Sequence, residues 1–346
     1  MSRAYVLMTA MPPTKGHLNL IQFAASLAKS AEVILCTQPD EPFIFERLEA
    51  IRDATRGMNV NLHHMHKKLP QEPEQAVGFW DMWAEFLHMF GIQPGDYIVA
   101  SELYGVQLAK RLEGVVFMPY DIDRSILWTK ATEVRKDPLR FFHEVLPEFQ
   151  PNLMKTITIF GAESVGKTTL SKSLARTTGV GHYLPEWARP YLETMGPELN
   201  TEVMTRIWKG QLALQKQGQL LRDKPFIFQD TDLFSTVGYW KLHEHEFGPV
   251  PIKLVDDALE HASSLYIMPL SNIPFEEDPL RYGGTEREAD DIWWRELAES
   301  YDLPLVSIQG KRFVERTVEA FAQVTDHYDA PTKLHYHRIT KEDLRH

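Results

Sequence analysis

Near the middle of the chain, Lys155-Thr156-Ile157-Thr158-Ile159-Phe160 runs into Gly161-Ala162-Glu163-Ser164-Val165-Gly166-Lys167-Thr168-Thr169, and then into a helical pattern carrying Leu170, Leu174 and Ala175. β-Branched and aromatic residues predict a buried strand. The order strand, GxxxxGK[ST], helix marks a phosphate-binding loop rather than an ordinary glycine-rich turn. Gly161 and Gly166 allow successive backbone N–H groups to face inward, an anion cradle at a helix N-terminus. Lys167 is placed to reach the β- and γ-phosphates, and the Thr168 hydroxyl to ligate Mg²⁺. With Glu163, Ser164 and Thr169 these residues form the expected ATP site, and they dictate a parallel α/β architecture around it.

At 346 residues the chain exceeds one typical core, which predicts two domains. Its apolar runs, such as Glu32–Cys36 and Tyr97–Ala100, are strand-sized and too short to cross a bilayer. Met1-Ser2-Arg3-Ala4-Tyr5 enters a strand pattern with no signal-peptide core. The single cysteine, Cys36, excludes an internal disulfide and a cysteine zinc cluster. A cytoplasmic protein is expected. Net charge of −11 argues against a nucleic-acid surface.

The first half alternates strand and helix patterns. Strands are expected at Ala4–Met8, Glu32–Cys36, Val60–His63, Tyr97–Ser101 and Val115–Phe117. Helices are expected from about Leu20 to Ala28, over Arg47–Thr55, Phe79–Phe90 and Leu103–Leu112. Such alternation implies a doubly wound parallel sheet whose ligands lie at the carboxyl ends of its strands. His63, His64 and His66 alternate on a strand with no neighbouring carboxylate in sequence, a pattern of surface or packing residues rather than metal ligands. His243 and His245 read the same way.

Thr14-Lys15-Gly16-His17 follows the first strand. It resembles the [HT]xGH signature of the nucleotidyltransferase superfamily, in which the histidine contacts the phosphates of the bound nucleotide. A helix N-terminus, an imidazole donor and Lys15 all favour an anion there. Asp121-Ile122-Asp123-Arg124 and Thr129-Lys130-Ala131-Thr132-Glu133-Val134-Arg135 come later. They resemble the superfamily's ISxTxxR motif; Thr132 and Arg135, three apart on a helix, can serve one phosphate site. With Phe79-Trp80-Asp81-Met82-Trp83 and Ser101-Glu102-Leu103-Tyr104-Gly105 between them and a phosphate-binding loop after, the order is similar to that of the NadR family, over about residues 3–325. That family fuses nicotinamide mononucleotide (NMN) adenylyltransferase to ribosylnicotinamide kinase. The resemblance implies ATP binding by Thr14, Lys15, Gly16, His17, Arg124, Thr132 and Arg135, and stacking of Trp80 or Trp83 on nicotinamide. Met8 stands where many relatives have glycine, and Lys130 where they have serine. No helix-turn-helix of the kind enteric relatives carry precedes the first strand, so a repressor role is not expected.

Leu146-Pro147-Glu148-Phe149-Gln150-Pro151-Asn152 reads as the connector, giving domains at 1–148 and 154–328 and a polar tail at 329–346. In the second half, Pro185–Leu192 resembles the kinase segment beside the nucleoside. There Glu186 either binds ribose hydroxyls or accepts the proton of the attacking hydroxyl, and Arg189 lies near. Phe226-Ile227-Phe228 runs into Asp230-Thr231-Asp232, a Walker B arrangement with Asp230 the metal ligand. Asp232 is placed to cap the helix Leu233–Leu242 and to meet substrate. Residues 274–287 suit a lid whose Arg281 and Arg287 stabilise γ-phosphate charge.

The reading is thus a Rossmann-like nucleotidyltransferase domain followed by a P-loop kinase domain. His17, Lys167, Asp230 and Glu186 are catalytic, Mg²⁺ is the cofactor, and nicotinamide riboside, NMN, NAD and ATP are ligands. Whether it forms a homo-oligomer stays open. Two alternatives remain: a NAD-sensing regulator with a degenerate first domain, or a fusion acting on another nucleoside.

Overall fold

The computed structural model describes residues 2–70, 73–274 and 287–328. Two compact units, Met1–Leu153 and Met154–His346, each carry a five-stranded parallel sheet.

The first unit runs β1 (Arg3–Met8), α1 (Lys15–Leu27), β2 (Ser30–Thr37), α2 (Ile44–Ala54), β3 (Val60–His66), α3 (Phe79–Met89), β4 (Tyr97–Ala100), α4 (Tyr104–Ala109), β5 (Val116–Pro119) and α5 (Ala131–Lys136). Its sheet order is β3-β2-β1-β4-β5, so the chain reverses its direction of travel across the sheet between β1 and β4. Period-two alternation divides the core into two layers. Ala4, Val6 and Met8, with Ala31, Val33 and Leu35, meet Leu20, Ile21 and Ala24 of α1. Tyr5, Ile34 and Cys36 go to the other face, against Phe79, Trp83 and Leu87 of α3. Burial of Leu20 and Ile21 contributes about 1.5–3 kcal/mol each, which anchors α1 and holds its N-terminus at the crevice beyond β1.

β3 is longer than its sequence pattern suggests, because pairing with β2 carries it through Cys36↔Met65 to Thr37↔His66. The same pairing supplies the carboxylate that local sequence lacks: His63 Nε2 lies 2.7 Å from Glu32 Oε2 on β2. His64 Nε2 and His66 Nδ1 meet Thr37 Oγ1 at 2.9 and 3.0 Å.

The stretch 146–152, expected to be a connector, is packed into the first unit. Leu146 and Phe149 are each 1% exposed, and Phe149 clusters with Ala50, Val134 and Val145. Leu146 N–H donates to Pro13 O at 3.0 Å, and Val145 bridges Thr14, so this stretch braces the loop after β1. Residues 138–141 form a turn after α5. Asp137 Oδ1 accepts from Arg140 N–H at 3.1 Å, a local side-chain bond that competes with helical bonding.

The second unit runs β6 (Lys155–Ile159), α6 (Lys167–Thr178), β7 (Gly181–Leu184), α7 (Ala188–Met195), α8 (Thr201–Gly218), β8 (Phe226–Asp230), α9 (Leu233–Leu242), α10 (Glu244–Phe247), α11 (Ile252–Glu260), β9 (Leu265–Pro269), α12 (Arg287–Ser300), β10 (Leu305–Ile308) and α13 (Phe313–His327). The order β10-β9-β6-β8-β7 places β6 at the centre, between β8 and β9. Ile159 registers with Asp230, so the loop after β6 opens directly beside the Asp230 carboxylate. Its core gathers Phe160, Trp240, Tyr266, Met268 and Trp294. Among the described residues no helix is long and apolar enough to cross a membrane.

Candidate active sites

In the first unit, Thr14 is buried and extended (φ −125°, ψ 165°) as the residue capping α1. Thr14 N–H donates to His17 Nδ1 at 3.1 Å, and the Thr14 hydroxyl meets the same nitrogen at 2.8 Å. A backbone N–H can only donate, so Nδ1 is the acceptor and the ring proton resides on Nε2. Burial, then the charges of Arg135 and Arg124, pushes His17 down to about 4, and the ring is neutral at ordinary pH. His17, Arg124 and Arg135 therefore converge from three separate segments. Arg135 Nε also donates to Met11 O at 2.9 Å, tying α5 to the loop after β1. Arg124 holds a left-handed backbone (φ 58°), with Nη2 3.8 Å from Glu102 Oε1. Lys15 and Thr132 are exposed at the first turns of α1 and α5. A neutral Nε2–H donor within the field of two guanidinium groups is suited to charge building on phosphate oxygens.

The structure distinguishes the two tryptophans. Trp83 is in the core, with Nε1 donating to Pro70 O at 3.3 Å. Trp80 is only half-buried and packs edge-on against Phe79 at 4.8 Å. Met8 takes its place in the layer with α1 rather than in the loop. Lys130 caps α5 where serine would accept from the helix, and half of a capping box remains: Lys130 N–H donates to Glu133 Oε2 at 3.2 Å. Sequence reasoning missed Arg47, which is fully buried on α2. Its Nη2 donates to Glu41 at 2.7 Å, while Nε and Nη1 have no hydrogen-bond partner among the described residues.

In the second unit, the loop after β6 has the conformation its glycines allow. Gly161 stands at φ 118°, and a Cβ there would lie 2.8 Å from Met268 Cγ, so both backbone and space require glycine. Lys167 Nζ is held at the mouth of the loop, donating to Gly161 O at 3.0 Å and Ala162 O at 2.7 Å. Glu163–Thr169 borders a cavity of about 450 Å³ that Glu186, Arg189, Asp232, Tyr239 and Arg316 also line.

Asp230 is 1% exposed and its carboxyl is raised, first by burial and against a hydrogen bond from Thr168 and the charge of Lys167. Its Oδ1 has no hydrogen-bond partner among the described residues. A sealed carboxylate oxygen beside a threonine hydroxyl suits a hard cation. Mg²⁺ needs few protein ligands once phosphates supply the others, so Thr168 and Asp230 fit it. No cluster of three or more His, Cys, Asp or Glu suited to a metal occurs among the described residues. Burial and the neighbouring Asp230 charge push Glu186 up to about 7, against Lys167 and Arg189.

Asp232 caps α9, its Oδ1 accepting from Ser235 N–H at 3.1 Å and its Oδ2 from the Tyr266 hydroxyl at 2.7 Å. Both oxygens are thus engaged by the protein, which gives this residue a structural role at the cavity wall. Between the two aspartates Thr231 has φ 64°, strained for a β-branched residue at about 1–3 kcal/mol. Glu163, expected among the ATP-binding residues, lines this cavity together with Tyr239. Arg281 lies outside the described residues, as does the side chain of Arg287, so the expected lid does too.

Sequence reasoning also missed Arg316 and Gln211. Arg316 Nη1 donates to Val165 O in the loop, Nη2 to Leu270 O at 2.6 Å, and Nε to Gly310 O at 2.6 Å. Gln211 Oε1 accepts from Trp187 N–H at 3.0 Å and so fixes the backbone beside Glu186. Neither has a local sequence signal, because each acts through partners remote in the chain.

A family model described as an AAA domain matches residues 156–316. The trifunctional NAD biosynthesis/regulator protein NadR of Salmonella typhimurium is 24% identical over 321 residues, covering 86% of this chain and 76% of that protein. Its Escherichia coli counterpart is 24% identical over 328 residues, covering 88% and 78%. The chain is thus similar to NadR over most of its length. Solved NadR structures share its fold over nearly its full length. One, in complex with NR, has a TM-score of 0.68 at 21% identity, covering 94% of this chain and 96% of that one. Another, in complex with NAD and AMP-PNP, has a TM-score of 0.66 at 22% identity, covering 95% and 96%.

Proposed function

We propose that this protein is an ATP-using transferase of NAD biosynthesis that carries out two reactions in one chain. In the second unit, the 5′-hydroxyl of nicotinamide riboside attacks the γ-phosphorus of ATP. The bond to the β,γ-bridging oxygen breaks, ADP leaves, and NMN forms. Glu186 accepts the hydroxyl proton, Lys167 meets the developing phosphoryl charge, and Thr168 and Asp230 hold Mg²⁺, which would supply further charge neutralisation. In the first unit, a 5′-phosphate oxygen of NMN attacks the α-phosphorus of a second ATP. Pyrophosphate leaves and NAD⁺ forms. His17 Nε2–H, Arg124 and Arg135 stabilise the transferring phosphoryl oxygens, and Trp80 stacks on the nicotinamide ring, where its face suits a cationic pyridinium. Positioning and charge can supply both steps without a covalent intermediate.

The observation that carries this reading is the convergence of His17, Arg124 and Arg135 in a chain whose other unit sets a phosphate-binding loop beside Asp230 and Glu186. Its test is incubation of the full chain with nicotinamide riboside, ATP and Mg²⁺, following products over time. NMN should appear first and NAD⁺ after it. NMN accumulating without NAD⁺, together with measurable NAD⁺ binding, would favour a NAD-sensing regulator. Lys130 in place of a capping serine motivates that second reading.

The Glu186 role predicts a pH limb. A base must be unprotonated to act, and burial raises this group to about 7. The kinase rate should fall tenfold per pH unit on the acid side, with the midpoint below 7 once a cation offsets the Asp230 charge. Glu186→Gln should flatten the limb as well as slow the reaction; an unchanged limb in that variant assigns the proton elsewhere.

A further inference from the structure

Met204, Ile207 and Gln211 lie on one stripe of α8, at i, i+3 and i+7, and all three line the cavity of the second unit. The first two are apolar, as a stripe packed into the core should be. The third is a carboxamide, only 2% exposed. A neighbour fixes its orientation: Oε1 faces the Trp187 N–H at 3.0 Å. A backbone N–H can only donate, so the oxygen is on that side and the NH₂ group is turned from it. Nε2 is sealed from bulk water and meets no hydrogen-bond partner among the described residues. Gln215, one turn further along the same face, is a purely structural glutamine by comparison. Its Oε1 accepts from Leu233 N–H at 3.1 Å, and its Nε2 donates to His261 O at 3.2 Å. Of these two buried glutamines, only Gln211 keeps donors that its own surroundings leave unused.

The place of that donor is equally fixed. Trp187 adjoins Glu186, which lines the same cavity and takes the proton in the reaction proposed above. The Trp187 indole packs so closely on α8 that a Cβ at Gly210 would lie 2.2 Å from the ring. Gly210 therefore lets the segment bearing Glu186 seat against α8, where the Gln211 amide is bonded to it. We infer that Gln211 is a specificity residue for the phosphoryl acceptor, its Nε2 hydrogens donating to an uncharged oxygen of the nucleoside. That oxygen is the carboxamide oxygen of the base or a ribose hydroxyl. The inference rests on the riboside kinase reading and adds to it a group that recognises the acceptor apart from the hydroxyl that reacts. A buried donor selects by default, because an acceptor without the oxygen leaves it dry and unpaired.

The test measures kcat/KM of the full chain for nicotinamide riboside, for its analogue without the carboxamide, and for its 2′-deoxy and 3′-deoxy forms, in wild type and Gln211→Met. All four acceptors carry the same pyridinium charge. Wild type should lose on the order of 10-fold or more on one of the three analogues, and which one it is identifies the oxygen. Gln211→Met removes the donors at similar side-chain length. The ratio between nicotinamide riboside and that analogue should then fall toward one, with the KM for ATP unchanged. Anchoring of the Trp187 backbone alone would slow all four acceptors alike and keep the ratio, which overturns the inference. So would a wild type that treats all four alike, the result expected if the donor serves only a bound water. Should Gln211→Met fail to fold, Gln211→Glu decides: it keeps an oxygen for Trp187 N–H, has no NH₂ group and must lose the same ratio. Its added charge acts equally on four acceptors of one charge. A wild-type chain inactive on nicotinamide riboside would sink the kinase reading itself, which separates that failure from this one.

Discussion

Lys167→Ala is expected to abolish phosphorylation of nicotinamide riboside, lowering kcat on the order of 10²–10³, while adenylylation of NMN continues. Lys167 does two things in its site. Its ammonium is held by Gly161 O and Ala162 O at 3.0 and 2.7 Å, at the point where the β- and γ-phosphates must enter. Its charge also opposes the rise of both Glu186 and Asp230. Alanine should therefore move the residual acid limb of the kinase rate upward, because Glu186, already at about 7, loses a stabilising cation. Separate assays of NMN formation from the riboside and of NAD⁺ formation from NMN check this. Loss of both reactions would sink the two-site reading.

His17→Ala should do the reverse, reducing NAD⁺ formation on the order of 10²–10³ and sparing the kinase. The reason is geometric: with Nδ1 accepting from Thr14 N–H, only Nε2–H is left to donate to phosphate. The same variant has a stability signature. His17 titrates at about 4 in the folded chain against an ordinary value of 6.5, so the unfolded state takes up the proton first. Stability is lost as pH falls from 6.5 toward 4, by at most on the order of 3 kcal/mol. His17→Ala should flatten that part of the acid dependence of the thermal midpoint of the full chain. An identical acid slope in the variant would show that His17 is not held neutral.

Much of the fold was legible because its signals are local. Hydrophobic alternation placed the strands, and the glycines announced the loop after β6, where Gly161 needs both its φ of 118° and the space beside Met268. Asp232 was read as a cap and is one. The stretch 146–152 was misread because two prolines in a short span look like a stiff linker. The burial of Leu146 and Phe149 depends on α2 and α5, which no local pattern reveals.

Residue order alone determined that two parallel sheets form and that each sends a glycine-containing loop into a helix N-terminus, because strand period, helix period and turn chemistry are written within a few residues. Tertiary structure decided what those loops do chemically. It set the proton on His17 Nε2, brought the charges of Arg124 and Arg135 to bear on that ring, sealed Asp230 beside Thr168, and buried Trp83 while leaving Trp80 half-buried. The physical reason is that protonation, desolvation and charge pairing depend on which groups lie within a few ångströms, and parallel crossovers bring those groups from distant parts of the chain.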